Sequence, residues 1–208
     1  VGRPRMSKLD QILSNLEGGS VRYSSIGDSI AYNFNSPFGC NSTSFWYSQQ
    51  FRNRLAGAGG GASVTLDEAA IKGEHTDDLL VDEGGELNNA FRLIEAAPDL
   101  ITISMIGNDL LDVDPGGSAS QGATNVAVAE VLDARQNLQE ALSSMLTEIP
   151  GADVTLNTLY DNLSFDCTGG TPTSDFHRQW IPIIDQILRD LAWGQVRPVT
   201  INEVAAEF

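Results

Sequence analysis

Basic residues are scarce in this chain of 208 residues. It has 12 Lys and Arg against 28 Asp and Glu, and its only lysines are Lys8 and Lys72. The formal net charge of −16 at pH 7 leaves too few cations for the clustered basic surface that binds a nucleic-acid backbone. The same charge disfavours anionic membrane surfaces. We therefore expect no nucleic-acid partner.

Long apolar runs are also missing. The longest apolar stretch, at 100–106, is interrupted by Thr102 and Ser104, far short of the ~20 residues that cross a bilayer. We therefore expect no transmembrane segment. With 20 Gly, 8 Pro and 41% hydrophobic residues, the composition is that of a globular chain with a proper core. The length fits one domain, and neither an internal repeat nor a linker divides it, so we predict a single domain over 1–208.

What is present is an alternation of short β-type runs with helical patterns. The runs predict strands at 21–26, 63–71, 100–106, 154–160 and 196–204, and the intervening periodicities predict helices at 43–55, 87–97, 126–149 and 180–191, with Pro182 near the start of the last helix. Strand–helix alternation at this spacing implies parallel strands joined by right-handed crossovers. We predict an α/β fold, a three-layer flavodoxin-like sandwich with about five parallel strands and helices on both faces.

Ligands of such folds bind beyond the carboxyl ends of the strands, and polar motifs stand at three successive strand ends. Gly27-Asp28-Ser29 follows the first predicted strand, Gly73 and the residues up to Leu79 follow the second, and Gly107-Asn108-Asp109 follow the third. An ordinary turn with a helix cap explains any one of these motifs. Three in this order favour a functional site.

These motifs resemble the blocks of the SGNH (GDSL-type) hydrolase family, over about residues 20–205. The resemblance implies that Ser29 is the nucleophile of a serine esterase or lipase. It also implies an oxyanion hole made by the backbone N–H groups of Ser29 and Gly73 and the side-chain amide of Asn108. Acyl transfer needs such donors, and the α/β-hydrolase signature Gly-x-Ser-x-Gly is absent from the chain. The implied substrate is a carboxylic ester of a lipid, a short acyl group or an acetylated sugar, with no cofactor and no metal ion.

The general base is the missing part of the pattern. The family carries an Asp-x-x-His block after its fifth strand, but no His follows His177 here. One interpretation is that the His-Asp pair lies in a downstream segment or on a second chain, which fits a sequence that does not begin with Met. Others use His177, on the loop after the fourth predicted strand, or His75, near Gly73. The last is a catalytically silent module that binds carbohydrate or lipid.

Two smaller features sit in the predicted loops. Cys40 and Cys167 are the only cysteines, and we expect them to form one disulfide. The segment around Cys40 resembles secreted actinobacterial lipases of the family, so we expect a secreted or extracytoplasmic protein. Asp109, Asp112 and Asp114 suggest a Ca²⁺ loop only weakly, and we interpret them as a solvated acidic turn.

Overall fold

Strands and helices alternate along the chain, as the apolar patterning predicts. The structure, a computed structural model, describes residues 19–28, 31, 47–58, 63–71, 73–80, 97–113, 121–158 and 175–202. In chain order the elements are β1 (Ser20–Gly27), α1 (Tyr47–Ala58), β2 (Ser63–Glu68), a 3₁₀ turn (Asp77–Leu79), β3 (Leu100–Ser104), α2 (Gly107–Asp112), α3 (Gln121–Glu148), β4 (Asp153–Asn157), α4 (Asp175–Trp193) and β5 (Val199–Asn202).

The strands form one sheet whose order is β2-β1-β3-β4-β5. Every neighbouring pair is parallel, and Tyr23 of β1 lies opposite Leu66 on one side and Leu100 on the other. This is the flavodoxin-like strand order, and it confirms the predicted α/β fold. The order reverses between β1 and β3, and folds of this kind bind ligands at the carboxyl ends of the strands beside that reversal.

Apolar side chains cover both faces of the sheet. On one face Tyr23 and Leu100 pack with Leu55 of α1. The Tyr23 ring meets Phe51 edge-on at 5.3 Å, and its hydroxyl shares a 2.8 Å hydrogen bond with Thr102 Oγ1. The other face packs against α3 and α4 through a larger buried set: Ile26, Ile101, Ile103, Val154, Leu156, Leu138, Leu142, Ile184 and Leu188. Helices therefore lie on both faces, as predicted.

Several boundaries differ from the prediction. Strand β2 ends at Glu68, although the segment after it stays alongside β1, and β3 ends at Ser104, where the chain turns towards α2 before the apolar run is finished. Helix α4 begins at Asp175, so two predictions were wrong: Pro182 lies inside the helix, and His177 lies in its first turn instead of on a loop.

Other predictions lie outside the described residues, among them most of the helix at 87–97 and both cysteines. Among the residues that the structure describes, no helix has the length and apolar character that a membrane crossing requires.

Candidate active site

The carboxyl end of β1 is pressed against β3. Gly27 has a φ of +130°, and a Cβ at this position would lie 1.8 Å from the carbonyl oxygen of Ser104. The next residue, Asp28, is buried and donates its backbone N–H to the same oxygen at 3.1 Å. Only glycine fits this junction. Ser29, the predicted nucleophile, comes directly after Asp28 in the sequence and lies outside the described residues.

The segment after β2 stays alongside β1. Ala69 donates its N–H to the Ser25 carbonyl and Ile71 donates to the Gly27 carbonyl, both at 3.0 Å. The segment then reaches Gly73, whose φ is +90° and whose missing Cβ would meet no atom of the described residues within 4 Å. The reason for glycine at position 73 is therefore its backbone conformation.

Asn108 enters the site on the first turn of α2. Ile106, which joins β3 to this helix, has a φ of +86° and is fully buried, a strained conformation for a β-branched residue. The predicted loop Gly107-Asn108-Asp109 is thus helical. The Asn108 side chain donates from Nδ2 to the Glu74 carbonyl at 2.8 Å. This bond connects the segment after β3 to the residue next to Gly73.

Asp109 is not part of a solvated turn, and that interpretation was wrong for this residue. It is only 3% exposed, and its Oδ1 accepts from the Thr76 backbone N–H at 3.1 Å and from the Thr76 hydroxyl at 2.7 Å. Burial raises the pKa of Asp109, although the two bonds from Thr76 act in the opposite direction. Asp112 is exposed, with 71% of its side chain accessible, and Asp114 lies outside the described residues.

Asn137, on helix α3, contributes to the same network and escaped the sequence analysis. Its Nδ2 donates to Thr76 Oγ1 at 3.2 Å. Asn137 belongs to none of the motifs and stands in a long helical pattern, 61 positions from Thr76. Nothing local in the sequence marks it.

His75 faces carboxylates on both sides of its ring. Its Nε2 lies 3.1 Å from Asp112 Oδ2 without the alignment of a hydrogen bond, and its Nδ1 lies 3.9 Å from Asp78 Oδ2. The His75 backbone N–H donates to Asp78 Oδ2 at 2.7 Å. The main chain and both ring nitrogens are therefore next to acidic side chains.

An acidic groove of about 650 Å³ runs beside this network. Burial, followed by the charges of Asp109 and Asp133, raises the pKa of Glu130 in its wall. Within the described ranges, no three His, Cys, Asp or Glu side chains are arranged to hold a metal ion. Six carboxylates line the groove together with three other side chains: Asp77, Asp78, Asp109, Asp112, Glu130, Asp133, His75, Gln136 and Asn137.

The structure therefore brings two of the three predicted site residues into one hydrogen-bonded region, since Asn108 bonds to the neighbour of Gly73. Together with the strand order, this defines the class: a flavodoxin-like α/β protein with its polar site at the carboxyl ends of β1, β2 and β3. The chain belongs to the GDSL-like Lipase/Acylhydrolase family, whose model matches residues 25–203. The protein is thus, by class, a carboxylic ester hydrolase.

Solved structures of ester hydrolases share the fold. The lipase Lip_vut3 from a goat rumen metagenome matches 90% of this chain and 82% of its own, with a TM-score of 0.57 and 20% identity. Phospholipase A1 from Streptomyces albidoflavus NA297 matches 89% and 80%, with a TM-score of 0.54 and 23% identity. The acetyl xylan esterase AlAXEase matches 90% and 79%, with a TM-score of 0.53 and 15% identity. At these identities the likeness shows the fold alone. No curated protein matches the chain.

Proposed function

We propose that the protein hydrolyses a carboxylic ester through an acyl-enzyme formed on Ser29. The observation that carries the proposal is a closed set of hydrogen bonds at the strand ends. Ile71 bonds to Gly27, Asp28 bonds to Ser104, and Asn108 bonds to Glu74. These bonds hold the segments after β1, β2 and β3 together, and Ser29 directly follows the first of them.

In this mechanism the Ser29 hydroxyl oxygen attacks the ester carbonyl carbon and forms a C–O bond. The π electron pair moves onto the carbonyl oxygen, which the backbone N–H groups of Ser29 and Gly73 and the Asn108 amide stabilise. The Asn108 amide has two N–H groups, of which the bond to Glu74 uses one. The carbonyl then re-forms, the C–O bond to the leaving alkoxide breaks, and the general base passes the serine proton to that alkoxide. Water attacks the acyl-enzyme in the same way, which releases the carboxylic acid and restores the Ser29 hydroxyl.

We propose that the general base is a His-Asp pair on a downstream segment or on a second chain. The surroundings of His75 support this choice, because both of its ring nitrogens face carboxylates of the acidic groove. His177, at the start of α4, and His75 are the alternatives within the chain.

For the substrate, we propose an ester of a lipid, a short acyl group or an acetylated sugar. This range is supported by the names of the similar structures, which include a phospholipase A1 and an acetyl xylan esterase. Among the described residues, the space beside Gly73 is open, which fits a substrate group next to the proposed oxyanion donors.

The test is labelling of the full gene product with a fluorophosphonate, followed by adduct mapping and intact mass measurement under denaturing conditions. We expect a phosphonyl group on Ser29 of the wild type and neither an adduct nor ester turnover in Ser29→Ala. A matched control is Ser143→Ala, at an exposed serine of α3, which should label normally. Ester hydrolysis that survives Ser29→Ala contradicts the proposal. A second polypeptide or a longer chain in the mass spectrum identifies the carrier of the base, whereas labelling of a lone 22.3 kDa chain assigns the base to His177 or His75.

A further inference from the structure

We propose that Asn137 is a positioning residue for the oxyanion hole. It acts through the Thr76 hydroxyl on the segment that carries Gly73, so the inference rests on the proposed function. Among the described residues, Asn137 makes no hydrogen bond to Gly73 or Asn108. Its contact is the 3.2 Å hydrogen bond from Nδ2 to Thr76 Oγ1.

The direction of each bond in this chain of contacts is fixed by Asp109. A carboxylate oxygen accepts, so the Thr76 hydroxyl donates its single hydrogen to Asp109 Oδ1, 2.7 Å away. The Thr76 oxygen can then act only as an acceptor, and Asn137 donates an N–H group to it. A residue at position 137 must therefore be a donor.

The place of Asn137 in helix α3 brings its side chain within hydrogen-bond distance of Thr76. Ala134, Leu138 and Ala141 are fully buried on the inner side of α3, and Asn137 is spaced to lie on that side of the helix with them. Asn137 itself is only partly buried and also lines the acidic groove. Asparagine in a helix interior is less favourable than alanine, and the bond to Thr76 offsets this cost.

The bond bears on the site because Thr76 is two residues from Glu74. The Glu74 carbonyl accepts a hydrogen bond from the Asn108 side chain. Asp109, the neighbour of Asn108, accepts a hydrogen bond from Thr76. The segment after β2 and the first turn of α2 are thereby joined at two points. If Thr76 is loosened, the Glu74–Asn108 bond must hold the proposed oxyanion donors, Gly73 and Asn108, in position relative to each other. A misplacement of about 1 Å can lower the rate ~10²-fold.

The experiment compares Asn137→Ala and Asn137→Asp with the wild type of the full gene product. Fluorophosphonate labelling of Ser29 is measured as a maximal rate and a half-saturating concentration, alongside urea unfolding. Alanine keeps the helix, so we expect both variants to fold. We expect the maximal labelling rate to fall about 10-fold in Asn137→Ala. It should fall further in Asn137→Asp, because the aspartate carboxylate cannot donate to the Thr76 oxygen. The half-saturating concentration should stay unchanged in both variants. Gln139→Ala, at an exposed amide on the same helix, is the matched control and should behave like the wild type.

A double-mutant cycle with Thr76→Val shows whether Asn137 acts through the hydroxyl. We expect the double variant to be no slower than Thr76→Val alone, because the acceptor is already gone. Additive losses overturn the proposal. A lower urea midpoint with a wild-type maximal rate also overturns it, since the role is then structural only. Failure of the wild type to label at Ser29 refutes the proposed function itself and is thus distinguishable.

Discussion

Replacing Gly27 by alanine tests the packing at the end of β1 most directly. The added Cβ would lie 1.8 Å from the Ser104 carbonyl oxygen, whereas ordinary contacts begin near 3.4 Å. The paired ends of β1 and β3 must therefore separate by more than 1 Å. Since Gly27 pairs with Ser104 in the sheet register, the movement also breaks the bond from Asp28 to Ser104.

The cost follows from three contributions. Overpacking costs about 1–3 kcal/mol, a non-glycine residue at this φ costs about 1–3 kcal/mol, and the lost hydrogen bond costs about 1 kcal/mol. Gly27→Ala should therefore destabilise the protein by about 3–7 kcal/mol, against a total stability of about 5–15 kcal/mol for an ordinary domain.

Two other glycines provide graded controls. Gly73 has a positive φ but open space around a Cβ, and Gly57, in α1, has open space and no positive φ. Gly73→Ala should lower the stability by about 1–3 kcal/mol, the cost of backbone strain alone. Gly57→Ala should gain about 0.5–1 kcal/mol, because alanine is the better helix residue.

Urea unfolding followed by tryptophan fluorescence measures all three variants, since the chain has three Trp. The expected order of stability is Gly57→Ala, wild type, Gly73→Ala and Gly27→Ala. If Gly27→Ala is as stable as Gly73→Ala, the close approach of β1 to Ser104 is not real, and the argument for a tight junction beside Ser29 fails.

Two further predictions concern the site. Asn108→Ala should lower kcat for ester hydrolysis by about 10²–10³-fold with little change in KM, because it removes one oxyanion donor; an unchanged kcat contradicts the role given to Asn108. Glu130→Gln should stabilise the protein increasingly as the pH rises from about 4 to 7, because the raised pKa of Glu130 means that the folded state loses stability when this group ionises. Thermal melts across this pH range measure the difference in stability between Glu130→Gln and the wild type. A difference that does not change with pH contradicts the prediction.

The sequence allowed the fold to be predicted because its signals are local. Leu100 to Ser104 form an apolar run buried along its whole length, and such a run between helical patterns indicates a central parallel strand. The strand ends were less predictable. Met105 and Ile106 continue the apolar run, yet Ile106 turns to a positive φ because the chain must enter α2 there.

The site was only partly predictable, for a different reason. Gly73 and Asn108 belong to recognisable motifs, and the structure links them through Glu74. The network around Thr76 depends on residues 33 and 61 positions away in the sequence, Asp109 and Asn137. Neither residue type is unusual in its local context, so only the folded arrangement shows that Asp109 is buried and that Asn137 is its indirect partner.

The strand order explains why the three motifs meet at one edge of the sheet. Strand β1 lies between β2 and β3, so the segments that follow β2 and β3 flank the one that follows β1. Each pair of segments is then joined by its own hydrogen bond, Ile71 to Gly27, Asp28 to Ser104, and Asn108 to Glu74. A closed set of this kind fixes each segment from two sides, so the donors that we propose on the outer segments need little reorganisation when charge develops on a substrate. In an open arrangement with one bond missing, the same donors would have to be ordered during the reaction. The closed arrangement therefore supports the proposed oxyanion hole at this edge of the sheet.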